Sequence, residues 1–314
     1  MKPQRYLNNV WLRASNWRAG LPVILLNSHH DTVKPAAGYT RNPHQPAIED
    51  GKLYGLGSND AGGALVSLIY AFVMLEKDPE LGCNLILAAT AEEEISGPNG
   101  IAALLPQLGP IDAGLVGEPT LLDLAVAERG LVVIDGLAEG VSGHAARKEG
   151  VNALYRALDD IAAIRAHTFT RPSPLLGPTS ANVTVLNAGT QHNVVPDRAG
   201  FLIDLRVNEA YRNEEAVAEL QTICQNSVLT PRSLRLQSSG IPEDHPLVRA
   251  GLSSRPAAKT YGSPTLSDQA LMPFPTLKLG PGDSARSHTA DEYIYLQELE
   301  DGMQLYVNLL RRAY

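Results

Sequence analysis

The chain has 314 residues and a mass of 33.7 kDa, with 26 Lys and Arg against 34 Asp and Glu for a net charge of −8. That length holds one large domain or two ordinary ones, and 44% hydrophobic against 19% charged residues excludes a disordered chain. The acidic balance speaks against a nucleic-acid partner and against an anionic membrane surface, since both need clustered Lys and Arg.

In chain order, the first twenty residues are polar and basic and carry no apolar core of a secretory signal. Pro22 to Ser28 (PVILLNS) is a short apolar run with the pattern of a buried strand. Residues 32–59 are dense in Pro, Gly and Asn and are expected to be mostly loop. Ala64 to Glu76 is apolar at almost every position, which predicts a buried helix. Asn84 to Ala89 and Ala113 to Val116 read as two further buried strands, an α/β alternation.

The pattern changes after Thr120. Residues 131–138, 181–186 and 200–207 are expected as strands, with helices at Asn152 to Arg165 and Glu214 to Asn226 and a last strand at Ser233 to Gln237. This is an α+β insert of ordinary domain size. A helix-like stretch from His245, Pro- and Gly-rich loops over 262–287 and an amphipathic helix over 296–312 complete the chain. No segment approaches the ~18 consecutive apolar residues of a membrane span. Cys83 and Cys224 make neither a disulfide framework nor a thiolate metal site. A reducing cytoplasm follows, and any metal falls to His and carboxylates.

Such residues gather where predicted strands end. His29 and Asp31 (SHHDT) follow the first strand and share one side of an extended chain; taken alone, the spacing is better explained by an ordinary solvent-facing polar cluster. Asp60 lies in GLGSNDAGG, where flanking glycines let a short carboxylate project into a cleft, or simply close a tight turn. Glu92, Glu93 and Glu94 follow the second strand, as an acidic helix start or as carboxylates awaiting a cation. Glu118 (VGEPT) follows the third strand, and His288 (GPGDSARSHT) sits in a Gly-rich loop. Together they occupy the place where an open α/β sheet binds ligands, and mixed His and carboxylate donors suit Zn²⁺ or a similar divalent ion. With no G-x-S-x-G elbow and no motif around either cysteine, serine and thiol catalysis are disfavoured.

These five motifs, in order and spacing, resemble those of the co-catalytic zinc amidohydrolases and exopeptidases, which include acetylornithine deacetylase, succinyl-diaminopimelate desuccinylase, aminoacylase and glutamate carboxypeptidase. HHDTVKP, EEEISG and TYGSPTLSDQALM look most like the acetylornithine deacetylase branch. The resemblance implies a catalytic domain (1–121 and 233–314) with a central mixed, mostly parallel sheet flanked by helices, and an inserted α+β lid and dimerisation domain (122–232). It implies two divalent ions, Zn²⁺ with Co²⁺ or Mn²⁺ as alternatives. His29 and Glu118 would hold one, Glu94 and His288 the other, and Asp60 both. Glu93 would be the general base toward a bridging hydroxide, and Asp31 would orient His29. In the insert, His144 (SGHAA) would stabilise the oxyanion, Asn193 (QHNVVPD) would bind substrate, and Arg206 (DLRVN) would clasp a carboxylate, unless it pairs with Asp204 or Glu209 on its own strand. Family members carry a pair of helices ahead of the first strand, and here that strand is expected almost at once, in YLNNVWLR.

The implied reaction is hydrolysis of an N-acyl amino acid of the N-acetyl- or N-succinyl-ornithine or citrulline type, in arginine biosynthesis, by a cytoplasmic homodimer. A dipeptidase, carboxypeptidase or desuccinylase is the alternative within the same chemistry. A non-catalytic, metal-binding dimer scaffold is the alternative from another class.

Overall fold

The apolar runs near the start of the chain become neighbouring parallel strands in a computed structural model, which describes residues 2–314. The first unit contains everything up to Ala127, Ser239–Ser263 and Ser267–Tyr314; the second contains Glu128–Ser238 and Pro264–Leu266. In chain order the first unit has β1 (Gln4–Tyr6), β2 (Asn9–Arg13), β3 (Val23–His29), β4 (Ala47–Glu49), β5 (Lys52–Tyr54), α1 (Gly63–Leu75), β6 (Asn84–Thr90), α2 (Ile101–Leu108), β7 (Ala113–Val116) and β8 (Leu124–Glu128). The second has β9 (Gly130–Glu139), β10 (Gly143–His144), α3 (Ala153–Ala166), β11 (Ser180–Ala188), β12 (Val194–Val195), β13 (Arg198–Val207), α4 (Asn213–Ile223) and β14 (Ser227–Pro231). The first unit resumes with β15 (Ser239–Gly240), α5 (Pro246–Ser254), β16 (Thr260–Ser263), β17 (Thr276–Lys278), β18 (Tyr293–Tyr295) and α6 (Leu296–Ala313).

The main sheet of the first unit runs β1-β2-β6-β3-β7-β17-β8-β15, with β16 also on β8. Its centre, β6-β3-β7-β17, is parallel, and antiparallel strands flank it. The central strands are apolar on both faces because both are covered. Ile24 and Leu26 of β3 and Leu85 and Leu87 of β6 pack with Leu68, Phe72, Leu305 and Leu309 of α1 and α6. Leu25 and Ile86, the alternate residues, pack with Ile101, Leu104 and Leu108 of α2. α1 is buried on one side only. Its outer face leaves Val66, Ile69, Tyr70, Val73 and Met74 exposed at helical spacing, where the sequence predicts burial all round. Ser58–Leu75 also has the length and mean hydropathy (1.3) of a membrane span, and 56% of it is buried within the protein.

The second unit has a four-stranded antiparallel sheet, β11-β13-β9-β14. β9 and β13 alternate buried and part-exposed residues along their length, the period of a half-buried strand. Val132, Ile134, Phe201 and Ile203 pack against Ala157, Ile164, Ala216 and Leu220 of α3 and α4. The strand expected at Ser233–Gln237 is not formed. α4 stops at Ile223, and the Asp160 carboxylate accepts the N–H groups of Gln225 and Asn226. That frees Ser227–Pro231 to pair with β9, while the Leu236 carbonyl accepts the Leu131 N–H. The loop over 32–59 contains the β4–β5 hairpin, which joins β18 in a small sheet.

Candidate metal centre

β3, β6 and β7 are parallel, so their C-terminal ends lie at one edge of the sheet. β3 ends at His29 with Asp31 just beyond, β6 leads into a turn carrying Glu93 and Glu94, and β7 leads into Glu118. Asp60 arrives from the irregular turn Ser58–Gly62 ahead of α1, and His288 from the loop between β17 and β18. Gly57 opens the Asp60 turn at φ +76, and a Cβ there would stand 2.5 Å from Thr32 Cγ2. Only glycine meets both demands.

The His29 ring is buried, and its Nδ1–H points at the Asp31 carbonyl oxygen, 2.9 Å away. That bond fixes the tautomer and turns Nε2 toward Asp60 Oδ1 at 3.3 Å and Glu118 Oε1 at 3.8 Å. His288 Nε2 lies 3.1 Å from Glu94 Oε2 and 3.7 Å from Asp60 Oδ2. The two oxygens of Asp60 thus face two different imidazoles. Ligand atoms of His29, Asp60 and Glu94 all fall within 4.8 Å of one another. Asp31 meets the His29 ring through its backbone carbonyl; its carboxylate is 3.7 Å from Nδ1 and accepts the N–H groups of Glu93 and Glu94 at 3.3 Å each. The three glutamates form a turn and no helix start.

The electrostatics follow from crowding carboxylates in a half-buried crevice. Burial and then the neighbouring Glu118 push Glu93 up to about 10. Burial, with Asp60 adding to it, pushes Glu118 up to about 8 against the pull of His29 and Lys278. Burial and Asp60 also raise Glu94. Burial opposes charge on His29, but Asp31, Asp60 and Glu118 outweigh it and hold the ring well above its ordinary value. Asp60 is held low, because its bond to His29 overcomes its own burial. Repulsion of this kind is what a divalent cation relieves. Two imidazoles and three carboxylates, divided by a shared Asp60 into His29–Glu118 and His288–Glu94 halves, fit a pair of such ions.

Two buried acids near the crevice are not singled out by the sequence. Asp268, in the 268–271 turn, accepts Asn27 Nδ2 at 2.8 Å and the Thr90 hydroxyl at 2.7 Å, tying β3 to β6 just below the crevice. Glu292 reaches the Asp60 turn. The acidic residues after His288 are the only hint of it, and no periodicity marks either one.

Within the second unit, His144 and Asn193 are brought together. β10 pairs with β12, and the Ala145 N–H donates to the Asn193 carbonyl at 2.9 Å. The exposed His144 accepts the Ala146 N–H through Nδ1 at 3.1 Å. Arg206 does not present a free fork: Nε and Nη2 bind both oxygens of Asp204 at 2.7 and 3.0 Å. An i, i+2 spacing puts both side chains on one face of β13, and Asp204 is one of the two partners that the sequence offers Arg206 on its own strand beside a carboxylate clasp.

Comparison with known proteins places this arrangement. The model of peptidase family M20/M25/M40 matches residues 25–312. The chain is 27% identical over 331 residues to a succinyl-diaminopimelate desuccinylase of Xanthomonas campestris pv. campestris, covering 98% of this chain and 87% of that protein. Among solved structures, an aminopeptidase from Bacillus cereus shares the fold with a TM-score of 0.76 at 21% identity, covering 97% of this chain and 84% of that one. A dinuclear metal-binding M20 peptidase from Bacillus subtilis does so with a TM-score of 0.71 at 16% identity, over 96% and 83%.

Proposed function

We propose a function for a chain that belongs to peptidase family M20/M25/M40: cleavage of the amide bond of an N-acyl amino acid. The enzyme is a metal-dependent amidohydrolase acting on linear amides. The observation that carries the proposal is Asp60, whose Oδ1 and Oδ2 face His29 and His288 at 3.3 and 3.7 Å. His29 and Glu118 would hold one divalent ion, His288 and Glu94 the other, and Asp60 both, with Zn²⁺ the first choice and Co²⁺ or Mn²⁺ accommodated by the same donors. When bound, such ions polarise the amide carbonyl and bring the pKa of water toward ~7. Glu93, beside Glu118 and His29, takes the proton from the attacking water and delivers it to the leaving nitrogen. Asp31 holds the Glu93 and Glu94 amides in place and its carbonyl aims His29. His144 and Asn193, adjacent on the β10–β12 ribbon, are the proposed substrate contacts.

For substrate we propose N-acetyl- or N-succinyl-ornithine or citrulline, as in arginine biosynthesis. The desuccinylase relatives favour a second reading, an N-succinyl diamino acid as in lysine biosynthesis. We also propose a homodimer formed through the second unit. Two free, buried thiols support a cytoplasmic setting. The test is metal content of the purified chain with a panel of N-acetylornithine, N-acetylcitrulline, N-succinylornithine, N-succinyl-diaminopimelate and dipeptides. Turnover of an acyl substrate, lowered roughly 10²–10⁴-fold by Glu93→Gln, is the expected result. Hydrolysis of dipeptides alone overturns the substrate reading, a fully active Glu93→Gln overturns the base, and bound metal without turnover marks a scaffold.

A further inference from the structure

Glu292 lies outside the ligand set, yet it is 2% exposed and its carboxylate collects three main-chain bonds. Oε2 accepts the Gly57 N–H, and Oε1 accepts the N–H groups of Asn59 and Asp60, all at 2.9 Å. These donors run along the turn that aims Asp60. The turn cannot satisfy them by itself, because Asp60 (φ −118, ψ 100) and Ala61 (φ −116, ψ 32) leave helical geometry, and a buried N–H without a partner is costly. Three donors need two acceptor oxygens. An amide offers one, and its NH₂ would face an N–H.

Glu292 also stands four residues after His288, on the segment entering β18. A second stitch joins the same two loops. Asn59 Nδ2 donates to the Asp283 carbonyl at 3.0 Å and to Ser287 Oγ at 3.3 Å, and the Asp283 N–H donates to Asn59 Oδ1 at 3.0 Å. Two segments more than two hundred residues apart (|i−j| 232 for Glu292 and Asp60) therefore form one hydrogen-bonded body.

We propose that Glu292 is a positioning residue for the metal centre: it fixes the main chain of Asp60 relative to His288, so that one carboxylate can serve two ions. This rests on the proposed reading of Asp60 as the shared ligand. The test is Glu292→Gln in the full chain, with zinc affinity measured by chelator competition, metal per chain, the melting midpoint of the metal-free protein, and kcat and KM separately. Zinc affinity is expected to fall about 10- to 100-fold, with kcat lowered and KM little changed, while the metal-free protein, its midpoint lowered by the one unpaired N–H, stays folded at the assay temperature. Zinc affinity within twofold of the parent overturns the proposal, as does a loss no larger than the unfolded fraction explains. In the parent, the Gly57, Asn59 and Asp60 amides are expected to exchange slowly with solvent without metal. Exchange at the rate of a free loop overturns the proposal whatever the variant does. Asp60→Asn separates the two readings. If it leaves zinc affinity intact, both fail; if it weakens zinc while Glu292→Gln does not, only the positioning role fails.

Discussion

At the scale of single residues, the centre is aimed largely by main-chain groups. The Asp31 carbonyl sets the His29 tautomer, and its carboxylate holds the Glu93 and Glu94 amides. Residue type and spacing in the sequence pointed to the ligand candidates, since acids and His follow apolar strands. The same spacing could not say which atom of Asp31 meets the ring, because that depends on the turn after β3. Arg206 shows the limit from the other side: a strand-mate at i−2 was visible, and the choice between it and a ligand was not. The thiols give a direct prediction. Burial pushes Cys83 up to about 12 and, with Asp160 adding to it, Cys224 up to about 11. Both hold almost no thiolate at pH 8, so the native protein is expected to resist a thiol reagent that labels both cysteines once it unfolds. The unfolded chain loses these protons near its ordinary thiol value of ~8.5, before the folded one does, so stability falls as pH rises past that value. Rapid stoichiometric labelling of the native protein would count against this.

At the scale of elements, the long apolar and alternating segments were legible. β3, β6, β7, β9, β13, α1, α3 and α6 fall where period and composition put them, because burial on one or both faces writes itself into the sequence. Short pieces were not. α2 (IAALLPQL) contains Pro106 and spans eight residues, and β4, β5, β17 and β18 have three residues each, too few to show a period. α5 carries a pH-sensitive cap: His245 Nδ1 accepts the Leu247 N–H at 3.2 Å. Burial holds this His below its ordinary value, so the cap needs the neutral ring. The unfolded state binds the proton first as pH falls through ~6.5, so the contribution is present above that value and lost below it. His245→Asn keeps a cap acceptor worth about 1 kcal/mol without the titration. The gap between its melting midpoint and the parent's is therefore expected to grow between pH 7 and pH 5. A gap that stays constant over that range sinks the idea.

At the scale of the whole molecule, two cores are distinct: the two-faced sheet of the first unit and the single-faced sheet of the second. They meet at Ala127/Glu128 and at Ser238/Ser239 along the chain, beside expected limits at 121/122 and 232/233, because β8 still pairs with β17 of the first sheet. In the second unit β11 is an edge strand, with Val185 and Leu186 about two-fifths exposed (40% and 38%). Such an edge invites pairing. The full chain is expected to sediment as a dimer at micromolar concentration, and Val185→Lys with Leu186→Lys to shift it to monomer. A monomeric parent, or a dimer indifferent to both substitutions, overturns the proposed interface. What the sequence determined by itself is the α/β class, the order of the long strands along the chain and the identities of the ligand candidates, because burial periodicity and donor chemistry are local properties. The tertiary structure alone decided that Asp60 faces two imidazoles, that Asp268 bonds to β3 and β6, and that Glu292 bonds to the Asp60 turn. Those facts depend on segments brought together by parallel pairing and loop closure across up to 241 residues of chain, a distance over which no local pattern carries information.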